Sequence, residues 1–170
     1  MIVVAMGVCG SGKTSVGKVI ASRMNWPFIE GDDLHPPANK AKMASGVPLT
    51  DEDRWPWLDL IADRMRAIDK AGGSAVVACS ALRQAYRDRL RRSGADLRFL
   101  HLTGEAGLIR QRMKGRNGHF MPAGLLDSQL ATLESARVDE ALYEVDISEN
   151  VGDLAEDAIR SLTGRSVSAG

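Results

Sequence analysis

The sequence predicts an α/β protein in which a parallel sheet is covered by helices on both faces. Three observations carry that expectation. Short apolar runs alternate with helical patterns along the chain. The first run leads through a glycine-rich turn straight into a helix. Polar motifs fall just after the apolar runs, where a parallel sheet gathers its ligands at the strands' carboxyl ends. In order, Ile2-Val3-Val4-Ala5-Met6 is a β-branched run suited to a buried strand, and residues 15–24 follow as a helix with Val16, Val19 and Ile20 on one face. Phe28-Ile29 is a short second strand, ending in Glu30-Gly31-Asp32-Asp33. Leu58, Ile61, Met65 and Ile68 give the clearest helical period, and Pro56 predicts that this helix begins near Arg54. Residues 74–79, 97–102 and 143–147 are the remaining strands, and residues 106–113, 125–133 and 151–162 the remaining helices. Met43 and Met65 are expected in the core, and Trp55 and Trp57 are expected to pack rather than to stack on a ligand. Residues 1–165 form one domain by this reading, and residues 166–170 a frayed tail.

Composition narrows the function. A chain of 170 residues, 44% apolar and 26% charged, can bury a sizeable core. No apolar run approaches the roughly 20 residues that cross a bilayer, and no targeting segment is visible, so the expected compartment is the cytoplasm. A net charge of zero argues against a dedicated nucleic-acid or membrane binder. Cys9 and Cys79 fit neither a metal spacing nor a disulfide framework. Charge is uneven, with ten Lys or Arg against three acids between Arg83 and Arg116. Within that stretch Arg87, Arg89, Arg91 and Arg92 read as a solvated helix face.

Gly7-Val8-Cys9-Gly10-Ser11-Gly12-Lys13-Thr14, with Ser15 behind it, fits G-x-x-x-x-G-K-[ST] between a strand and a helix. Glycines let successive N–H groups converge on phosphate oxygens, and the helix N-terminus adds partial positive charge. Lys13 would reach the β- and γ-phosphates of ATP, and Thr14 would place its hydroxyl on Mg²⁺. A guanine-nucleotide switch would need N-K-x-D, whereas Asn39-Lys40-Ala41-Lys42 ends in the wrong residue. Acids as near the loop as Glu30 and Asp32 are the layout of small-metabolite kinases.

Several blocks carry a more specific resemblance. They are Gly31-Asp32-Asp33-Leu34-His35-Pro36; Asn39, Lys42-Met43, Gly46, Pro48-Leu49, Asp51, Asp53-Arg54 and Pro56-Trp57-Leu58; Cys79-Ser80-Ala81-Leu82-Arg83 with Tyr86-Arg87; and Gly118-His119-Phe120-Met121-Pro122 with Leu125-Leu126, Ser128-Gln129 and Leu133-Glu134. Together with the phosphate loop, they resemble the gluconokinases over residues 7 to 149. The resemblance implies a three-layer α/β/α P-loop fold, with a five-stranded parallel sheet like that of the shikimate and nucleoside-monophosphate kinases and a mobile lid. It implies transfer of the γ-phosphoryl group of ATP to the 6-hydroxyl of D-gluconate, and a homodimer. A shikimate kinase would show a glycine triplet where this chain has Ser80-Ala81-Leu82-Arg83, and a nucleotide-binding module without turnover would lack intact chemistry at Lys13 and Asp32.

Each block then has an expected role. Asp32 orients the reacting hydroxyl and accepts its proton, and Glu30 touches the Mg²⁺ shell through water. His35, Lys42, Arg54 and Arg83 hold gluconate from a substrate region at residues 32–60 and from the third strand's end. His35 and Lys42, seven residues apart, would face one cleft from a helix. Thr50 and Asp53 have capping-box spacing. In the lid, residues 114–125, Arg116 neutralises charge on the transferred group, and His119 touches substrate or latches the closed lid. Arg112 lies against the adenine or the phosphates, Arg110 is open between that role and solvent, and residues 148–151 border the adenine.

Overall fold

A computed structural model describes residues 1–114, 124–137 and 140–164. Five strands, β1 (Ile2–Met6), β2 (Phe28–Glu30), β3 (Ala75–Ala78), β4 (Leu97–Thr103) and β5 (Leu142–Asp146), form one sheet in the order β2-β3-β1-β4-β5. Every pairing is parallel, with Val4 opposite Val77 on one side and Phe99 on the other. Helices α1 (Lys13–Met24), α2 (Pro37–Ala44), α3 (Asp51–Lys70), α4 (Gln84–Arg91), α5 (Ala106–Lys114), α6 (Gly124–Thr132) and α7 (Val151–Thr163) occupy the connections.

The strand period sorts the core into two layers. On one face Val3, Val76, Leu100 and Leu102 meet Val16 and Ile20 of α1 and Leu154, Ala158 and Ile159 of α7. On the other, Ile2, Val4, Met6, Val77 and Phe99 meet Trp57, Leu58, Ile61 and Met65 of α3 and Tyr86 and Leu90 of α4. β1 is buried throughout because it is central and covered on both sides, as its unbroken apolar run requires. The loops that follow β1, β2, β3 and β5 all leave from one edge, so the polar motifs converge there.

Three expectations change. Helix α3 begins at Asp51, not near Arg54, and carries Pro56 inside it. Thr50 and Asp53 close a capping box that satisfies the first turn, with Asp53 N–H on Thr50 Oγ1 at 3.3 Å and Thr50 N–H on Asp53 Oδ2 at 3.0 Å. Pro56 then forfeits a single helical bond, and burial of Trp57 and Leu58 offsets the loss. Met65 is buried, but Met43 is 43% exposed, because the eight-residue α2 buries only Asn39. Arg87 is not on a solvated face: it is fully buried in an ion pair with Glu140.

Candidate active site

The phosphate loop takes its shape from glycine. Gly7, Gly10 and Gly12 have φ of 137°, 82° and 96°, and Gly12 caps α1 in the left-handed region. Contact reinforces the choice at two of them: a Cβ at Gly7 would lie 2.8 Å from the Leu102 carbonyl oxygen, and one at Gly10 would lie 2.6 Å from Met113 Cγ. Lys13 donates its ammonium to the Val8 carbonyl at 2.9 Å. Burial lowers its pKa, opposed by the nearby Cys9, Asp32, Cys79 and Glu30. Among the described residues, Ser11 Oγ is the one buried side-chain polar atom without a hydrogen-bond partner, and it lies within this loop. A loop of this curvature, with an orphaned hydroxyl and a desolvated ammonium, fits a polyphosphate.

Thr14 Oγ1 donates to Glu30 Oε2 at 2.8 Å, so the two residues expected around Mg²⁺ stand together. No group of three metal-ligating side chains occurs among the described residues. That suits an ion held by one or two protein groups and substrate phosphates rather than by an all-protein cage.

After β2 the chain turns sharply through a 3-10 turn, Gly31–Leu34, that carries Asp32. Gly31 is required there by contact, since a Cβ would lie 2.3 Å from the Ala78 carbonyl oxygen of β3. Trp57 fixes the turn from α3, its indole N–H donating to the Gly31 carbonyl at 2.7 Å. The same indole stacks on His35, with ring centroids 4.1 Å apart and planes 16° from parallel. Trp57 is therefore packing, as expected, and it is also what holds the turn bearing Asp32 and His35. His35 is buried, which lowers its pKa, and Asp32, Arg54 and Lys40 are the charges that act on it.

His35 and Lys42 do not share a helix face. His35 ends the 3-10 turn and points at Trp57, while Lys42, on α2, places its ammonium 2.7 Å from both oxygens of Asp53. That pair holds the Asp53 carboxyl below its ordinary pKa and ties α2 to the start of α3.

Beyond β3, Ala81 has a φ of 44°, a left-handed conformation in a fully buried non-glycine residue. This sharp turn delivers Arg83 to the site side. Arg54 and Arg83 both lie over the ring of Tyr86, at 5.7 Å and 5.9 Å from its centroid. Arg83 also pairs with Asp51 at 2.8 Å, and Tyr86 donates to the same carboxylate at 2.5 Å. Burial, with that hydrogen bond, pushes the Tyr86 hydroxyl up to about 12. Two guanidiniums thus gather around one ring, with the Asp51 carboxylate beside them.

Helices α5 and α6 lie against the phosphate loop, with Met113 near Gly10 and Gln129 on Cys9. Arg112 donates to the Ile147 carbonyl at 2.5 Å, at the start of the loop expected to border adenine. Arg110 pairs with Asp127, joining α5 to α6. Gln129, which the sequence reading left without a role, accepts the Cys9 N–H of the phosphate loop at 2.6 Å. Arg116 and His119 lie outside the described residues. For the burial of Arg87 the one sequence signal is its place beside Tyr86 in a block shared with known kinases.

Fold and site together define a P-loop kinase acting on a small molecule. A family model described as shikimate kinase matches residues 9–144. A gluconokinase of Gluconobacter oxydans is 48% identical over 92% of this chain and 88% of its own length. The thermosensitive gluconokinase of Escherichia coli is 42% identical over 90% of this chain and 82% of its own. Among solved structures, a gluconokinase from Sinorhizobium meliloti superposes with a TM-score of 0.86 at 46% identity, covering 96% of this chain and 92% of that one. A sugar kinase from Janibacter superposes with a TM-score of 0.89 at 48% identity, covering 95% and 93%. The chain belongs to the gluconokinase family, within the wider shikimate-kinase group.

Proposed function

We propose that the protein transfers the γ-phosphoryl group of ATP to the 6-hydroxyl of D-gluconate, giving 6-phospho-D-gluconate and ADP. The observation that carries this is the convergence of groups on one sheet edge: the Lys13 loop after β1, the Asp32 turn after β2, and Arg54 and Arg83 around Tyr86. Gluconate is a carboxylate with a row of hydroxyls, and Arg54 and Arg83 offer the planar cations that suit such a carboxylate.

Backbone N–H groups of residues 7–15 cradle the phosphates, and Lys13 exchanges the Val8 carbonyl for phosphate oxygens. Mg²⁺, when bound, would supply positive charge against the transferred phosphoryl group. Thr14 would hold it directly and Glu30 through water, from the positions in which they now bond each other. Asp32 orients the 6-hydroxyl toward the terminal phosphorus and takes its proton. Arg54 and Arg83 bind the carboxylate, and Lys42 reaches it only by sharing its ammonium with Asp53. Arg112 borders the nucleotide from α5. For Arg116 the reading is charge compensation on the transferred group, and for His119 contact with substrate or a latch on the closed lid. The enzyme works as a cytoplasmic homodimer.

The test is purified protein with MgATP against gluconate, other aldonates, shikimate and nucleoside monophosphates. Phosphorylation of gluconate is expected. Activity confined to shikimate or AMP would overturn the substrate while leaving the fold intact.

A further inference from the structure

His35 is fastened on three sides. Its backbone N–H bonds the Asp32 carbonyl at 3.3 Å, its ring lies on Trp57, and its Nδ1 is 3.3 Å from Asn39 Nδ2. Asn39 is itself 4% exposed, and its amide orientation is not free. The same Nδ2 stands 2.8 Å from the backbone carbonyl oxygen of Asp53, an acceptor only, so that atom must be the NH₂ group. A flipped amide would set two oxygens against each other. The NH₂ group therefore donates to His35 Nδ1 as well, and an Nδ1 that accepts a hydrogen bond carries no proton. The imidazole proton is left on Nε2.

That second nitrogen has no hydrogen-bond partner among the described residues. It is also not among the buried atoms cut off from solvent, where Ser11 Oγ alone lacks a partner. Although His35 is only 6% exposed, the opening left to it leads to Nε2.

We infer that Asn39 is a positioning residue, which locks His35 as the Nε2–H tautomer so that its one open atom is an uncharged hydrogen-bond donor. On the functional reading above, its partner is a hydroxyl oxygen of the polyol. The arrangement discriminates by chemistry. Where a hydroxyl lone pair faces Nε2–H the bond forms. Where the acceptor presents a bare carbon the donor is left unpaired, and the analogue is rejected. Asn39 takes its own orientation from Asp53, the residue that caps α3 and holds Lys42, so one carboxylic residue sets both the helix start and the imidazole.

The test is the ¹⁵N–¹H spectrum of the full chain labelled at histidine, with His35→Gln identifying the signal among three histidines. At pH 7 the wild-type protein is expected to show a bare Nδ1 and a protonated Nε2. Asn39→Asp replaces the donor by an acceptor and should move the proton to Nδ1. It should also raise KM for gluconate about 3- to 10-fold, the loss of one neutral hydrogen bond, with KM for ATP unchanged. A protonated Nδ1 in the wild-type protein overturns the inference even if no Asn39 variant folds. So does an unmoved proton in Asn39→Asp, or a parallel rise in both KM values. Should the wild-type protein phosphorylate no aldonate, the functional reading fails while the spectrum still decides the tautomer.

Discussion

Lys13 and Asp32 come from different loops, and the Asp32 carboxylate favours the charged form of the Lys13 ammonium, which burial opposes. Burial makes the Lys13 ammonium costly until an anion joins it, which is the condition a phosphate site needs. Lys13→Met is expected to lower kcat by about 10²- to 10³-fold, the scale of losing one preorganised electrostatic partner. Asp32→Asn should cut turnover by about 10²-fold or more with gluconate binding retained, which steady-state kinetics would separate. The two arginines should behave differently. Arg54→Ala and Arg83→Ala are expected to raise KM for gluconate by about tenfold or more, the weight of a charged hydrogen bond. Arg83→Ala also takes the ion-pair partner from Asp51 and leaves it the Tyr86 hydroxyl alone, so its melting temperature should fall as well. Equal KM values in wild type and both variants would remove them from the substrate site.

Among the elements, α4 and α6 are joined to the sheet by charge and amide contacts that no pattern announces. Arg87 of α4 donates to Glu140 at 3.0 Å and 3.1 Å and to the carbonyls of Glu134 and Ser135, clamping the segment that leads from α6 into β5. Arg91 adds a bond to the same carboxylate at 2.7 Å. Arg87→Met should destabilise the fold by about 1.5–3 kcal/mol, the weight of a charged hydrogen bond, because Glu140 then keeps only Arg91, Gln84 and the Arg137 N–H. Burial alone would push the Glu140 carboxyl up, but the bonds from Arg87, Arg137 N–H and Arg91 outweigh it and hold the pKa at about 2. Since the folded value lies below the ordinary 4.5, the contribution is complete above that pH and disappears as the pH falls through about 2. Glu140→Gln should flatten acid denaturation in that window, measured by circular dichroism. Beside the phosphate loop, Gln129→Ala removes the bond by which α6 holds the Cys9 N–H. Faster hydrogen exchange in α6 is expected, with the sheet unchanged.

At the scale of the whole molecule, the sheet edge works only if β2 and β3 lie close enough to aim Asp32. Gly31 sets that approach, and Gly31→Ala should lower both stability and kcat, since a Cβ 2.3 Å from a backbone oxygen can be relieved only by parting the strands. A variant with wild-type melting temperature and turnover would show that the strands' spacing does not matter to the site.

The alternation of apolar runs was enough to place the sheet, the phosphate loop and the helices, because strand period, helix period and glycine spacing are local properties. The places of Lys13, Thr14 and Asp32 just past strand ends were legible for the same reason: their motifs sit beside the strands that carry them. What α3 does was only half visible. Its capping box could be read from Thr50 and Asp53, yet its true start at Asp51 needed the packing of Trp57 to outweigh Pro56. Four arginines in one short stretch looked alike on paper, and a distant carboxylate, Glu140, decided that Arg87 would be buried. The positions of His35 and Lys42 were likewise settled by Trp57 and Asp53, residues from another helix. Local spacing fixes an element, but a side chain's partner is chosen by whichever element the fold lays against it, and only the folded chain brings those together.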